Sequence, residues 1–145
     1  LPISVAAARG RAVVVMPALA EGAAGGWLPP DAFDETIRRY FTEASVTAMP
    51  GWESRDAVAW RVGAQVDALR GACPPDVNPD RVVPGVAVVA TGGRAAITFL
   101  AARLGWAADE AHAAWSRLRL PDLSVIDLPA DGTPHLVIPF GTLRV

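Results

Sequence analysis

Residues Val86–Arg94 read V-A-V-V-A-T-G-G-R, an apolar run that stops at a threonine and two glycines. Thr91 offers a hydroxyl, Gly92 and Gly93 let backbone N–H groups approach a ligand, and Arg94 adds a positive charge one turn later. If a helix follows, its N-terminus favours an anion, so Thr91, Gly92, Gly93 and Arg94 are candidate phosphate-binding residues. Thr91 can donate one hydrogen bond, but it cannot carry positive charge or store a proton near neutral pH. A phosphoryl-transfer site needs a nucleophile to accept the group and cations to offset its oxygens. All 13 basic residues are arginine, so guanidinium or backbone N–H must hold any anion, and Schiff-base chemistry is excluded. The two histidines lie late in the chain; His112 reads as partly exposed on a helix and His135 as structural. Cys73, the single cysteine, sits in G-A-C-P-P-D and reads as a loop thiol. No metal site and no cofactor is expected, and G-x-G-x-x-G, G-x-x-x-x-G-K-[ST] and G-x-S-x-G are all absent.

The elements that must position these groups follow from periodicity. Arg11–Met16 is a β-branched run read as a buried strand, and Val86–Ala90, apolar without alternation, as a strand covered on both faces. Asp31 is expected to cap a helix with Phe33, Ile37, Tyr40, Phe41 and Ala44 on one stripe. Asp34 with Arg38 and Glu35 with Arg39 are then i,i+4 pairs on its wet face. Ser54 caps a second helix with Val58, Val62, Val66 and Leu69 inside and Gly71 at its end. A third helix follows Gly92-Gly93, carries Ile97, Leu100, Ala101 and Leu104, and closes at Gly105, and a fourth spans about Asp109–Leu118. Leu123–Leu128 and His135–Phe140 make a terminal hairpin through Asp131-Gly132. Strand–helix alternation followed by a hairpin predicts an α/β three-layer sandwich. Its sheet is mostly parallel with an antiparallel part, and helices cover both faces. Ligands would then collect beyond the carboxyl ends of the strands, at Thr91.

The chain of 145 residues is one domain's length, 52% apolar and 19% charged, which fits a packed globule. A net charge of −2 gives no electrostatic case for nucleic acid or an anionic membrane. No stretch approaches the ~18 apolar residues of a membrane helix, and Leu1–Ala24 is a poor signal peptide, so a cytoplasmic protein is expected.

Taken together, several stretches resemble the histidine phosphatase superfamily, the phosphoglycerate mutase-like phosphatases. Leu19, Glu21, Gly25 and Trp27 stand at the spacing of that family's L-x-E-x-x-x-G-x-W. Gly51, Glu53, Ser54 and Arg61 resemble its G-E-S turn and helix arginine, with Trp52 inserted. Ala90-Thr91-Gly92-Gly93 and Leu104-Gly105 echo its S-H-G-G and helix-ending L-G. Trp115, Leu118, Leu120, Ser124 and Val125 are similar to its W-x-x-L-x-L-x-x-x-S-V. The likeness runs from about residue 3 to residue 140.

The resemblance implies Glu21 as the general acid and the crevice at Thr91 as a place for phosphate or a small phosphorylated molecule. It also implies a defect. The family's nucleophilic R-H-G histidine has no counterpart, and the second pocket histidine is replaced by Thr91. Leu1–Gly10 resembles the helix before the family's second strand, so the single domain 1–145 is expected to lack its N-terminal catalytic segment. Another alignment sets Ala8-Arg9-Gly10 on a decayed R-H-G. The expectation is a degenerate, catalytically impaired member; the alternative is an active phosphatase or mutase whose histidine lies upstream. A missing first strand would also leave a sheet edge open to pairing into a homo-oligomer. Glu53 with Arg61 reads as a structural ion pair, and the five tryptophans read as packing.

Overall fold

The computed structural model describes residues 13–22, 26–72, 76–78, 81–83, 86–119, 121–129 and 132–142. A 3₁₀ turn at Pro17–Leu19 leads to helices α1 (Pro30–Thr42) and α2 (Arg55–Ala72). A short hairpin of β1 (Asp76–Asn78) and β2 (Arg81–Val83) follows, then α3 (Gly93–Leu104), α4 (Ala108–Arg117) and a second hairpin of β3 (Val125–Asp127) and β4 (His135–Ile138).

The helices form for the reasons their sequences suggest, with adjusted ends. Helix α1 starts on Pro30, whose fixed φ and missing N–H suit a first position, so Asp31 lies within the first turn instead of capping it. Its exposed ion pairs are Glu35–Arg38 and Arg39–Glu43, which displaces the Asp34–Arg38 and Glu35–Arg39 pairing read from i,i+4 spacing. Ser54 Oγ accepts the Ala57 N–H at 3.2 Å, capping α2, which runs one residue past Gly71. Glu110 reaches back to the Ala107 N–H at the start of α4. Gly105 ends α3 in the left-handed region at φ +67°, where a side chain is strained.

Two apolar clusters hold the helices together. Ile37, Tyr40 and Phe41 of α1 pack with Trp52, with Ile97 and Ala101 of α3, and with Ala111 and Ala114 of α4. Val58 and Val62 of α2 pack with Ala95, Phe99 and Leu100 of α3, and Ile126, Leu128 and Leu136 of the second hairpin lie against them. Helix α3 serves both clusters, which is why seven of its residues from Arg94 to Ala101 are buried.

The parallel sheet does not form. Among the described residues the strands make two separate two-stranded antiparallel sheets, β1–β2 and β3–β4, so the three-layer sandwich with a mostly parallel sheet is overturned. Val13–Met16 and Val86–Ala90, the runs expected as its strands, join no ladder. Val14 is 72% exposed and Val88 89% exposed. A parallel strand is stable when covered on both faces and hydrogen-bonded laterally. Here the helices pack on one another, and among the described residues these runs have no ladder partner. The hairpin was legible, although its turn residue Asp131 and the loop thiol Cys73 lie outside the described residues. Trp27 and Trp60 stand in solvent, so the reading of every tryptophan as packing fails for these two.

Candidate functional site

Glu21, Thr91, Gly92 and Arg94 come together where the loop after the 3₁₀ turn meets the N-terminus of α3. Glu21 Oε1 accepts the backbone N–H of Arg94 at 2.8 Å and lies 3.7 Å from its Nε. The carboxylate therefore occupies the end of the helix dipole that the sequence assigns to an outside anion. Gly92 makes this approach possible. A Cβ there would overlap the Glu21 carboxylate and stand 2.7 Å from the Glu21 Cβ. Gly93 has a different use, since a Cβ on it would fall 2.8 Å from Leu118 Cδ1 and 3.2 Å from the Trp115 ring. It admits Trp115 of α4 and Leu118 just beyond that helix, not a ligand.

The arginine side chain is 4% exposed and lies over the Trp52 ring, with Cζ 4.1 Å from the ring centroid and 5.3 Å from that of Tyr40. Such stacking suits a planar, weakly hydrated cation. Arg94 Nη2 donates to the Gly22 carbonyl at 2.7 Å. Its Nε and the Trp52 Nε1 are buried and have no hydrogen-bond partner among the described residues.

Behind this pair stands the Glu53–Arg61 ion pair, with Nη2–Oε2 at 2.6 Å and Nε–Oε1 at 3.0 Å, the bidentate geometry of a fork. The remaining arm of Arg61 donates to the carbonyls of Ala18 and Ala20 at 2.7 and 3.1 Å. Thr91 Oγ1 donates to the Leu19 carbonyl. Arg61, Thr91 and Arg94 thus grip the carbonyls of residues 18, 19, 20 and 22, and Glu21 between them answers with a carboxylate to α3. Gly22 is buried in this grip, because a Cβ there would stand 2.8 Å from Glu53 Oε2 and 3.2 Å from Arg94 Nη2.

Chemically, the cluster is a set of donors committed to one loop of the same chain. Glu21 acts as a hydrogen-bond acceptor here, which is not the geometry of an acid donating to a leaving group. Neither histidine joins it. His112 sits half-buried on α4 with its ring 6.4 Å from Phe41, and His135 is exposed at the start of β4 with Nε2 3.9 Å from Asp127 Oδ2. Among the described residues no three His, Cys, Asp or Glu side chains cluster as a metal site would require. An open cleft of about 810 Å³ lies elsewhere, between α1 and α4, and Asp31, Asp34, Glu35 and His112 stand in its wall.

Sequence reasoning placed Glu21, Thr91, Gly92 and Arg94 at one site but missed Trp52, Tyr40 and Gly22, which form its floor. Only Trp52 carried a signal, as the residue inserted into the G-E-S-like turn. No protein-family model, curated protein or solved structure matches the chain. None of the described helices is long and apolar enough to cross a membrane.

Proposed function

We propose that this chain is a non-catalytic binding or interaction domain, a degenerate relative of the histidine phosphatases whose phosphate seat has turned inward onto its own loop. One observation carries the reading: Arg61, Thr91 and Arg94 spend their donors on the carbonyls of residues 18, 19, 20 and 22, while Glu21 fills the N-terminus of α3. The functional class rests on the motif resemblance, and the inactivity on chemistry. A threonine in place of the second pocket histidine brings no positive charge to a phosphoryl group, and no histidine faces the cluster to accept one. A cytoplasmic setting, with neither nucleic acid nor membrane as partner, suits its charge and composition.

A residual affinity for phosphate or a phosphoester belongs to the same reading. The Glu21 side chain is 39% exposed, so it can swing out and leave the Arg94 N–H and the buried Nε to an incoming anion. The test takes the 145-residue chain with p-nitrophenyl phosphate, and with phosphorus NMR for an acid-labile phosphohistidine. Neither turnover nor adduct is expected, Thr91→His should not create activity, and Glu21→Gln should tighten phosphate binding as followed by tryptophan fluorescence. Measurable turnover by the purified chain would overturn the proposal in favour of an active phosphomonoesterase.

A further inference from the structure

We propose that the cradle around residues 17–22 is a peptide-binding site, filled here by the chain's own segment and suited to an acidic partner peptide of the form L-x-E-G. The inference rests on the reading of this site as closed on its own loop, and it names what that loop stands in for. Arg61, Thr91 and Arg94 donate to four main-chain carbonyls, those of Ala18, Leu19, Ala20 and Gly22. Every peptide carries such acceptors, so these donors recognise a backbone and not a particular side chain. The Leu19 and Ala20 N–H groups bond inside the segment, to the Met16 and Pro17 carbonyls at 2.9 and 3.0 Å. The segment is thus a self-contained turn laid on the body, and no residue of Pro17–Leu19 is fully buried.

Selectivity comes from three positions. Leu19 packs half-buried against the second apolar cluster. Glu21 sets its carboxylate on the Arg94 N–H at the start of α3. Gly22 is buried, and a Cβ there would stand 2.8 Å from Glu53 Oε2 and 3.2 Å from Arg94 Nη2, which excludes other residues. Ala20 between them is exposed and unconstrained.

The tethered occupant fits incompletely, and this points to a ligand from outside the chain. Arg94 is 4% exposed, yet its Nε has no hydrogen-bond partner among the described residues. Glu21 Oε1 stops 3.7 Å from it, beyond hydrogen-bond reach. A buried charged donor left unbonded is costly. The carboxylate of a free peptide, with no covalent link onward to α1, can close that distance. The receiving side is already in place, because the Glu53 fork fixes Arg61 and the Trp52 ring fixes Arg94.

The test is fluorescence polarisation of a labelled peptide of residues 16–23, M-P-A-L-A-E-G-A, with the 145-residue chain. The tethered segment competes at an effective concentration on the order of millimolar, so the unaltered chain should bind the peptide weakly. Gly22→Val in the chain evicts the segment, and binding should then tighten at least about tenfold. Glu21→Lys, which turns a cation on Arg94, frees the site by another route and should act alike. Against either variant, Glu21→Gln or Gly22→Val within the peptide should weaken binding about tenfold or more, and Ala20→Ser should leave it unchanged. Millimolar peptide should also shift the Trp52 indole and Arg94 amide NMR signals of the unaltered chain, a result that needs no variant. Hydrogen exchange at the Arg94 amide, bonded to Glu21 in the closed chain, separates the two ways of failing. Faster exchange in the variants without peptide binding, or binding indifferent to the peptide's glutamate, overturns this proposal and leaves the closed loop standing. Unchanged exchange in both variants overturns the closed loop and the proposal together, and an unaltered chain whose signals ignore the peptide also counts against the proposal.

Discussion

Replacing Gly92 by alanine tests whether Glu21 is seated at the N-terminus of α3. At φ −73° and ψ 157° the Gly92 backbone accepts alanine without strain, so the substitution acts through what its methyl meets. That is the Glu21 side chain, including its Cβ at 2.7 Å, and the glutamate must leave. Its departure removes a charge-assisted hydrogen bond to the Arg94 N–H, worth about 1.5 kcal/mol at the low end suited to a carboxylate 39% exposed. The ion pair at 3.7 Å adds about 0.5 kcal/mol after allowance for solvent. Glu21→Gly, which removes the Cβ as well, should then cost at least about 2 kcal/mol, and Gly92→Ala about 2 kcal/mol plus roughly 0.5 kcal/mol for a poorer cap. At roughly 3–4 °C per kcal/mol in a domain of this size, these losses lower Tm by about 6–10 °C.

The double variant decides the matter. With glycine at 21, the three atoms nearest a methyl at position 92 are all gone, so the capping loss of roughly 0.5 kcal/mol is the main cost that remains. Urea unfolding of the four proteins should therefore give a coupling energy of about 2 kcal/mol, far outside the few tenths expected of independent sites. Additive losses would refute the seating of Glu21 on α3 and, with it, the inward-turned seat.

The single tyrosine gives a clean pH test. Burial holds the Tyr40 hydroxyl above its ordinary value of 10.0, against the opposing hydrogen bond with Thr98. The unfolded chain releases this proton first, so stability is fully present below about pH 10 and falls as pH rises toward the folded value. Tyr40→Phe should abolish that alkaline slope, and tyrosinate absorbance of the native protein should titrate late. At Asp122, burial pushes the carboxyl up, but N–H bonds from Gly141, Arg119 and Leu123 outweigh it and hold it below 3.8. Its contribution is present above that value and lost as pH falls through the folded one, so Asp122→Asn should flatten the acid limb of a stability–pH curve. Gly105→Ala, with open space around it and φ +67°, should cost about 1 kcal/mol in urea unfolding through backbone strain alone.

Helices were readable because their stripes match the faces they bury. Ile37, Tyr40 and Phe41, then Val58 and Val62, then Ile97, Leu100 and Ala101 are all inside. Caps and stops were legible where one residue decides them, as at Ser54 and Gly105. The sheet was misread because V-V-V-M and V-A-V-V-A carry strand preference, whereas a strand exists only through its neighbours. Nothing local in either run says whether a partner will be present. The same asymmetry governs the site. Motif spacing brought Glu21 to Thr91 across 70 residues, yet the direction in which the donors point depends on what competes for them. Arg94 cannot be buried without acceptors. The loop supplies the Gly22 carbonyl and the Glu21 carboxylate within reach, and Trp52 offers its ring face. An outside anion would have to displace a tethered carboxylate, which never dilutes away, and this competition inside one chain separates a cradle built for phosphate from one closed on itself.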